Sequence, residues 1–105
     1  RGLADLDHLE CWTLMSALAA RTQRLRIGTL VGCSSYRNPA LVAKMAASLD
    51  RISEGRFVLG MGAGWMDEEY RAYGYEFPPI GTRLDQLDEA LHVIRRMLSD
   101  EVSSY

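Results

Sequence analysis

The sequence Arg56-Phe-Val-Leu-Gly-Met-Gly-Ala-Gly-Trp65 joins an apolar stretch, typical of a buried strand, to three closely spaced glycines. The acidic segment Asp67-Glu-Glu69 follows, and acidic residues are common in the first turn of a helix. Glycines let the backbone turn sharply and approach a ligand, and the free N–H groups at the start of a helix attract anions. The pattern therefore predicts a strand, a phosphate-binding turn and a short helix.

The same glycines have a purely structural interpretation, in which they only allow a strand and a helix to pack closely. The carboxylates of residues 67–69 favour this alternative, because they already complement the positive end of the helix dipole. Spacing excludes two common nucleotide-binding motifs. A dinucleotide fingerprint would require glycine where Trp65 stands, and a Walker A loop would require a Gly-Lys-Ser/Thr sequence, which the chain lacks.

Apolar periodicity predicts the elements around this stretch. Residues 25–31 are almost continuously apolar, as are residues 56–61, which indicates two strands buried on both faces. Residues 7–21 and 39–51 carry apolar side chains at three- and four-residue spacing, which predicts two helices. Pro39 suits the first position of the second helix.

Two further helices follow the glycine run. The first is short and ends at Gly74. The second is predicted to begin at a capping box formed by Thr82 and Asp85. Its apolar face is predicted to consist of Leu84, Leu87, Leu91, Ile94 and Leu98.

The order of elements is β-α-β-α with a helix before it, which specifies parallel strands joined by helical crossovers. Two parallel strands cannot close a sheet, and a (β/α)₈ barrel takes about 250 residues. Residues 1–105 are therefore predicted to be an interior slice of a larger α/β protein, about two βα units with flanking helices.

Composition excludes several classes of partner. The chain has 105 residues, 48% of them hydrophobic, and a net charge of −2, and its arginines are scattered, so we expect no nucleic-acid binding. It has no apolar stretch of membrane-spanning length, and the composition predicts a cytoplasmic protein. Cys11 and Cys33 are expected to be buried thiols rather than a disulfide or a ligand pair, and no metal site is predicted. His8 and His92 are expected to be exposed or locally bonded, not catalytic.

Four stretches together identify a family resemblance, which extends over nearly the whole chain. They are Ala17-Leu-Ala-Ala-Arg-Thr22, Leu25-Arg-Ile-Gly-Thr-Leu-Val31, Tyr36-Arg-Asn-Pro-Ala-Leu-Val-Ala-Lys-Met45 and Leu49-Asp-Arg-Ile-Ser-Glu-Gly-Arg-Phe-Val-Leu-Gly-Met-Gly-Ala-Gly-Trp65. The chain resembles the luciferase-like flavin and deazaflavin oxidoreductases, and within them the branch that uses coenzyme F420. The resemblance implies a TIM-barrel domain, of which residues 1–105 are a fragment around the third and fourth βα units.

The resemblance also implies a function and a site. The function is hydride transfer between F420 and a small organic substrate, in a protein that forms a homodimer when intact; the isolated fragment would be inactive. The end of the first strand would form the back wall for the cofactor ring, often with a non-prolyl cis peptide, and the turn after the second strand would hold the phosphate. The implied cofactor-binding residues are Leu30, Val31, Gly62, Ala63, Gly64 and Trp65. No catalytic acid or base is assigned.

Two alternatives remain open. The same fold could use FMN with oxygen as a monooxygenase, or the segment could be a non-catalytic piece that serves only structure or dimerisation. The chain departs from the family pattern at Asn38, where relatives often carry histidine before the proline; asparagine caps a helix equally well.

Overall fold

A computed structural model describes residues 9–99. The elements in chain order are helix α1 (Cys11–Arg21), strands β1 (Ile27–Gly28) and β2 (Gly32–Cys33), helix α2 (Pro39–Ile52), strands β3 (Phe57–Val58) and β4 (Met61–Gly62), and helices α3 (Asp67–Ala72) and α4 (Ile80–Ser99). The predicted α/β alternation is confirmed. The described residues form a partial α/β structure with two small parallel sheets and no closed barrel.

Each predicted strand is divided into two short pieces. β1 pairs with β3, and β2 pairs with β4, both in parallel, which confirms the predicted pairing. Three residues, 29–31, separate β1 from β2, whereas two residues, 59–60, separate β3 from β4. One strand therefore carries one residue more than its partner between the two ladders, which is a β-bulge.

At the bulge, hydrogen bonds of the Thr29 side chain take the place of the backbone hydrogen bonds between the two strands. Its Oγ1 donates to the Gly60 carbonyl at 2.5 Å and accepts from the Gly60 N–H at 2.9 Å. The Gly60 carbonyl also accepts from the Gly32 N–H at 2.8 Å, where the ladder resumes. Thr29 is buried, so its hydroxyl satisfies backbone groups that water cannot easily reach.

Gly60 and Gly62 make room for the residue that the bulge displaces. A Cβ atom on Gly62 would lie 2.6 Å from Val31 Cγ2, and one on Gly60 would lie 3.2 Å from Val31 Cγ1 and 2.4 Å from the Thr29 carbonyl oxygen. Real side chains do not tolerate contacts this short. The Val31 side chain thus occupies the space that two side chains would otherwise fill.

Gly64 is required for a different contact. Its φ is +84°, and a Cβ atom there would lie 2.0 Å from Tyr70 Oη and 2.9 Å from Cys33 Sγ. All three glycines of the run are therefore accounted for by close packing inside the protein, as the structural interpretation of the sequence requires.

The helices pack against one face of the strands. The buried core consists of Trp12, Met15, Ala19, Ile27, Val42, Ala43, Ala46, Leu49 and Ile94. Arg56 ties α1 to the start of β3, because its guanidinium donates to the carbonyls of Ala19, Thr22 and Leu25 at 2.7–2.9 Å. The carbonyls of Ala19 and Thr22 lie at the C-terminal end of α1, where no helical N–H can reach them, and Arg56 satisfies both.

Two predicted helix starts are wrong. α1 begins at Cys11 rather than at residue 7, because the Glu10 carboxylate accepts from the Thr13 N–H at 2.8 Å and caps the helix. α4 begins at Ile80, so Thr82 lies in its first turn and is not the cap. The Arg83 N–H already donates to the Pro79 carbonyl at 3.0 Å, which starts the helix three residues earlier.

The predicted apolar face of α4 is only partly the buried one. Ile94 is buried, but Leu84, Leu91 and Leu98 are exposed in the described residues, and the other buried positions are Arg83 and Ala90. α4 packs against α2, and Ile94 belongs to the same buried cluster as Val42 and Ala46 of that helix. The large leucines lie on a neighbouring stripe of the helix.

We expect Thr29→Val, made in the full-length protein, to lower the free energy of unfolding by about 1–3 kcal/mol. Valine matches threonine in shape but leaves the buried Gly60 N–H without an acceptor. Thr29→Ser keeps the hydroxyl and is the matched control. Urea denaturation measures both variants, and equal losses for valine and serine would show that the hydroxyl is not what stabilises the bulge.

A second pair of variants tests the packing at Gly64. Gly74 also has a positive φ, +79°, but nothing lies within 4 Å of a Cβ atom built there. Gly74→Ala should therefore cost only the backbone penalty, about 1 kcal/mol. Gly64→Ala should cost at least about 2 kcal/mol more, because Tyr70 must move. Denaturation without cofactor gives the difference, and a similar loss for both would contradict the packing role of Gly64.

Candidate cofactor-binding site

The bulge lies at the C-terminal end of β1, and the peptide bond between Leu30 and Val31 is cis, which confirms what the resemblance implied. Leu30 is fully exposed and Val31 is 55% exposed. Trp65, at the end of the glycine run, is 78% exposed. Three of the six predicted residues thus present apolar side chains to the outside of the described structure.

The other three predicted residues, 62–64, belong to a tightly packed backbone segment. Gly62 is part of β4 and contacts Val31, so the structure brings together members of the two predicted groups, the back wall and the phosphate turn. The free turn therefore begins at Ala63, later than the sequence alone suggests.

The buried Tyr70 side chain forms a hydrogen bond with the Ala63 carbonyl. The Tyr70 hydroxyl is completely buried and lies 3.1 Å from the Ala63 oxygen, 2.8 Å from Ser35 Oγ and 3.1 Å from Cys33 Sγ. A carbonyl can only accept, so every group is satisfied when Tyr70 donates to Ala63 and the serine and cysteine donate to Tyr70. Burial raises the pKa of Tyr70, and the contact with Cys33 raises it further, so the phenol stays protonated.

Arg83 holds the next carbonyl of the turn. Its Nη1 donates to the Gly64 carbonyl, its Nε donates to the Pro78 carbonyl at 2.9 Å, and its guanidinium carbon lies 4.2 Å from the centre of the Phe77 ring. The residue is buried. Its position one turn into α4 lets it reach back beneath the glycine turn.

These two contacts fix the direction of the neighbouring N–H groups. In a trans peptide the C=O of one residue and the N–H of the next point in opposite directions. Since the Ala63 and Gly64 carbonyls point towards Tyr70 and Arg83, the N–H groups of Gly64 and Trp65 point away from them. Within residues 9–99 neither N–H has a hydrogen-bond partner.

Helix α3, which follows the glycine turn, contributes less positive potential at its N-terminus than the sequence suggested. α3 has six residues, and Met66 at its N-cap makes no side-chain capping bond, so the dipole of this helix is small. Two of its first-turn carboxylates are engaged: Asp67 accepts from Arg71 at 3.0 Å, and Glu69 accepts from Tyr36 at 2.8 Å. Burial and the bond to Glu69 raise the pKa of the Tyr36 hydroxyl.

A cleft of about 730 Å³ lies beside the bulge, a volume within the range of small-molecule sites. Its lining includes Thr29, Val31, Gly32, Cys33, Tyr36 and Glu69. Of the six predicted residues, only Val31 lines this cleft. The residues fit a ring cofactor with a phosphate in two respects: an apolar wall is exposed at the end of the first strand, and the turn after the neighbouring strand has two outward N–H groups. The roles of the six predicted residues in binding remain predictions.

The histidines and cysteines named in the sequence analysis have no assigned role in cofactor binding. His92 lies on α4, 3.6 Å from Asp88, as a locally bonded histidine, and His8 lies outside the described residues. Cys11 is exposed, so its predicted burial is wrong: it occupies the first position of α1, on the rim of the cleft. Cys33 is half-buried, and neither thiol is in a disulfide.

Sequence reasoning assigned no site role to Thr29, Tyr70 or Arg83. No spacing in the sequence links Tyr70 or Arg83 to the glycine turn. None of the helices within residues 9–99 is long and apolar enough to cross a membrane. The same residues contain no group of three or more His, Cys, Asp or Glu side chains that could hold a metal ion.

Comparison with known proteins supports the resemblance over most of the chain. The chain is 37% identical over 102 residues to pyrimidine monooxygenase RutA of Allorhizobium ampelinum, covering 95% of this chain and 28% of that protein. It is 38% identical over 96 residues to the F420-dependent glucose-6-phosphate dehydrogenase of Amycolatopsis mediterranei, covering 88% of this chain and 29% of that enzyme. The chain thus spans less than a third of the length of these relatives.

Solved structures show the same local fold. Monooxygenase RslO1 from Streptomyces bottropensis superposes with a TM-score of 0.80 at 28% identity, over 91% of this chain and 28% of that one. The oxygenating constituent of 3,6-diketocamphane monooxygenase from Pseudomonas putida, a complex with FMN, gives 0.73 at 27% identity, over 84% and 24%. The family model described as luciferase-like monooxygenase matches residues 2–105, and the chain therefore belongs to the luciferase-like monooxygenase family.

Proposed function

We propose that the full-length protein containing this chain is an oxidoreductase that transfers a hydride between coenzyme F420 and a small organic substrate. The observation that carries the proposal is the pair of outward N–H groups of Gly64 and Trp65 beside the exposed strand end at Leu30 and Val31. Backbone N–H groups bind phosphate well, and an apolar wall suits a flat ring.

In this proposal the chain binds and orients the cofactor. Leu30 and Val31 contact one face of the ring, and residues 62–65 bind the phosphate through their backbone. When bound, F420 supplies the hydride donor or acceptor. Contacts at both the strand end and the turn would restrict rotation of the ring. Orientation of this kind lowers the activation barrier of a reaction by several kcal/mol.

No side chain of residues 9–99 is proposed as the catalytic acid or base. The buried Tyr70 hydroxyl is bonded within the protein, and its raised pKa makes it a donor rather than a base. Homodimer formation and a cytoplasmic location are also proposed for the intact protein on the basis of the resemblance and the composition.

An FMN-dependent monooxygenase is the second candidate. The similarity to RutA and to the FMN complex from Pseudomonas putida favours it, and the similarity to the F420-dependent dehydrogenase favours F420. The Gly-Ala-Gly-Trp sequence of residues 62–65 is our reason for placing F420 first, since the resemblance assigns this turn to the F420-using branch.

Titration of the full-length protein with F420 and with FMN decides between the two. We expect F420 to bind at least tenfold more tightly, a difference of about 1.4 kcal/mol. Fluorescence or absorbance of each cofactor reports the affinity. Equal or tighter binding of FMN would favour the monooxygenase, and binding of neither would favour the purely structural role.

A further inference from the structure

The buried arginine beneath the glycine turn has no carboxylate partner. Among residues 9–99, the ion pairs involve Arg37 with Glu10, Arg71 with Asp67 and His92 with Asp88, but none involves Arg83. Its contacts are two carbonyl groups and an aromatic ring. Buried charges in proteins are usually paired, so an unpaired guanidinium leaves a positive potential in its surroundings.

The hydrogen bond from Arg83 to the Gly64 carbonyl extends the effect of this charge to the glycine turn. The peptide that accepts from Arg83 presents its N–H, that of Trp65, on the opposite side. A cation at the oxygen end of a peptide polarises the whole group and strengthens the donor at its other end. The preceding peptide is oriented in the same way by the Tyr70 hydroxyl, which donates to the Ala63 carbonyl at 3.1 Å.

We infer that Arg83 and Tyr70 are positioning residues that make this site selective for a phosphorylated cofactor, because they direct the N–H groups of Gly64 and Trp65 outward and place an unpaired positive charge behind them. The inference rests on the proposed function and assigns the phosphate selectivity of that site to two side chains that do not touch the ligand. Neither residue is catalytic.

The nearby acidic residues do not cancel this effect. Asp67 is paired with Arg71, and Glu69 accepts a hydrogen bond from Tyr36. Glu68 is exposed, where water screens its charge. The buried guanidinium is screened less than any of these surface charges, so its contribution dominates at the turn.

The test compares each cofactor with its phosphate-free counterpart. The probes are F420 and its deazaflavin chromophore without the phosphate-linked tail, and FMN and riboflavin; the pair that the full-length parent protein binds is used. The measured quantity is the ratio of the two dissociation constants. A side chain that only supports the fold would change both constants alike, whereas a selectivity residue changes the ratio.

Arg83→Met should reduce the preference for the phosphorylated cofactor at least tenfold, while the affinity for the phosphate-free ring changes less than twofold. Arg83→Lys keeps the charge and should restore part of the preference. Arg95→Met, on the exposed side of the same helix, is the control and should leave the ratio unchanged.

Tyr70→Phe provides a second variant if Arg83→Met does not fold. It retains the buried ring and removes the hydroxyl, which donates to Ala63 and also bonds Ser35 and Cys33, so the ratio should fall at least threefold. A ratio unchanged in the Arg83 and Tyr70 variants, or an equal loss for both ligands, would overturn the inference while the proposed function stands. A parent protein that binds neither F420 nor FMN would overturn both.

Discussion

The hydroxyl group of Thr29 is the contact on which the rest of this structure depends. It bonds both the N–H and the carbonyl of Gly60, so two parallel strands stay joined where one of them carries an extra residue. Without that bridge the Gly60 N–H would be unpaired, at a cost of about 1–3 kcal/mol. The bulge directs the end of β1 outward. As a result, Val31 lies against Gly60 and Gly62 of the neighbouring strand.

The glycine run then serves the fold and the proposed site at the same time. On its inner side Gly60 and Gly62 accommodate Val31, and Gly64 accommodates Tyr70. On its outer side the same backbone presents N–H groups to a ligand. A peptide group has two ends, and side chains that hold the carbonyl end inside necessarily direct the N–H end outward. Close packing and ligand binding are therefore two consequences of one arrangement.

Several parts of the site could be predicted from the sequence. The cis peptide bond followed from short stretches that resemble a known family, and the parallel pairing followed from the spacing of the apolar runs. The six candidate cofactor-binding positions remain predictions. The positioning residues could not be found this way. Tyr70 reaches Cys33 across 37 positions of the chain and Arg83 reaches Gly64 across 19, and no local pattern encodes such contacts.

Local sequence patterns specify the order of the elements, the start of α2 at Pro39 after the Asn38 cap, and the glycine-rich turn, because apolar periodicity, capping and backbone freedom are local properties. Long-range packing determines why the glycines are needed, where α4 begins and which of its faces is buried. Those outcomes depend on the shapes of side chains from distant segments: Arg83 reaches the Gly64 carbonyl and Ile94 packs in the core with residues of α2, whereas the leucine stripe stays exposed. Periodicity alone does not distinguish between these faces of the helix, and side-chain packing determines which one is buried.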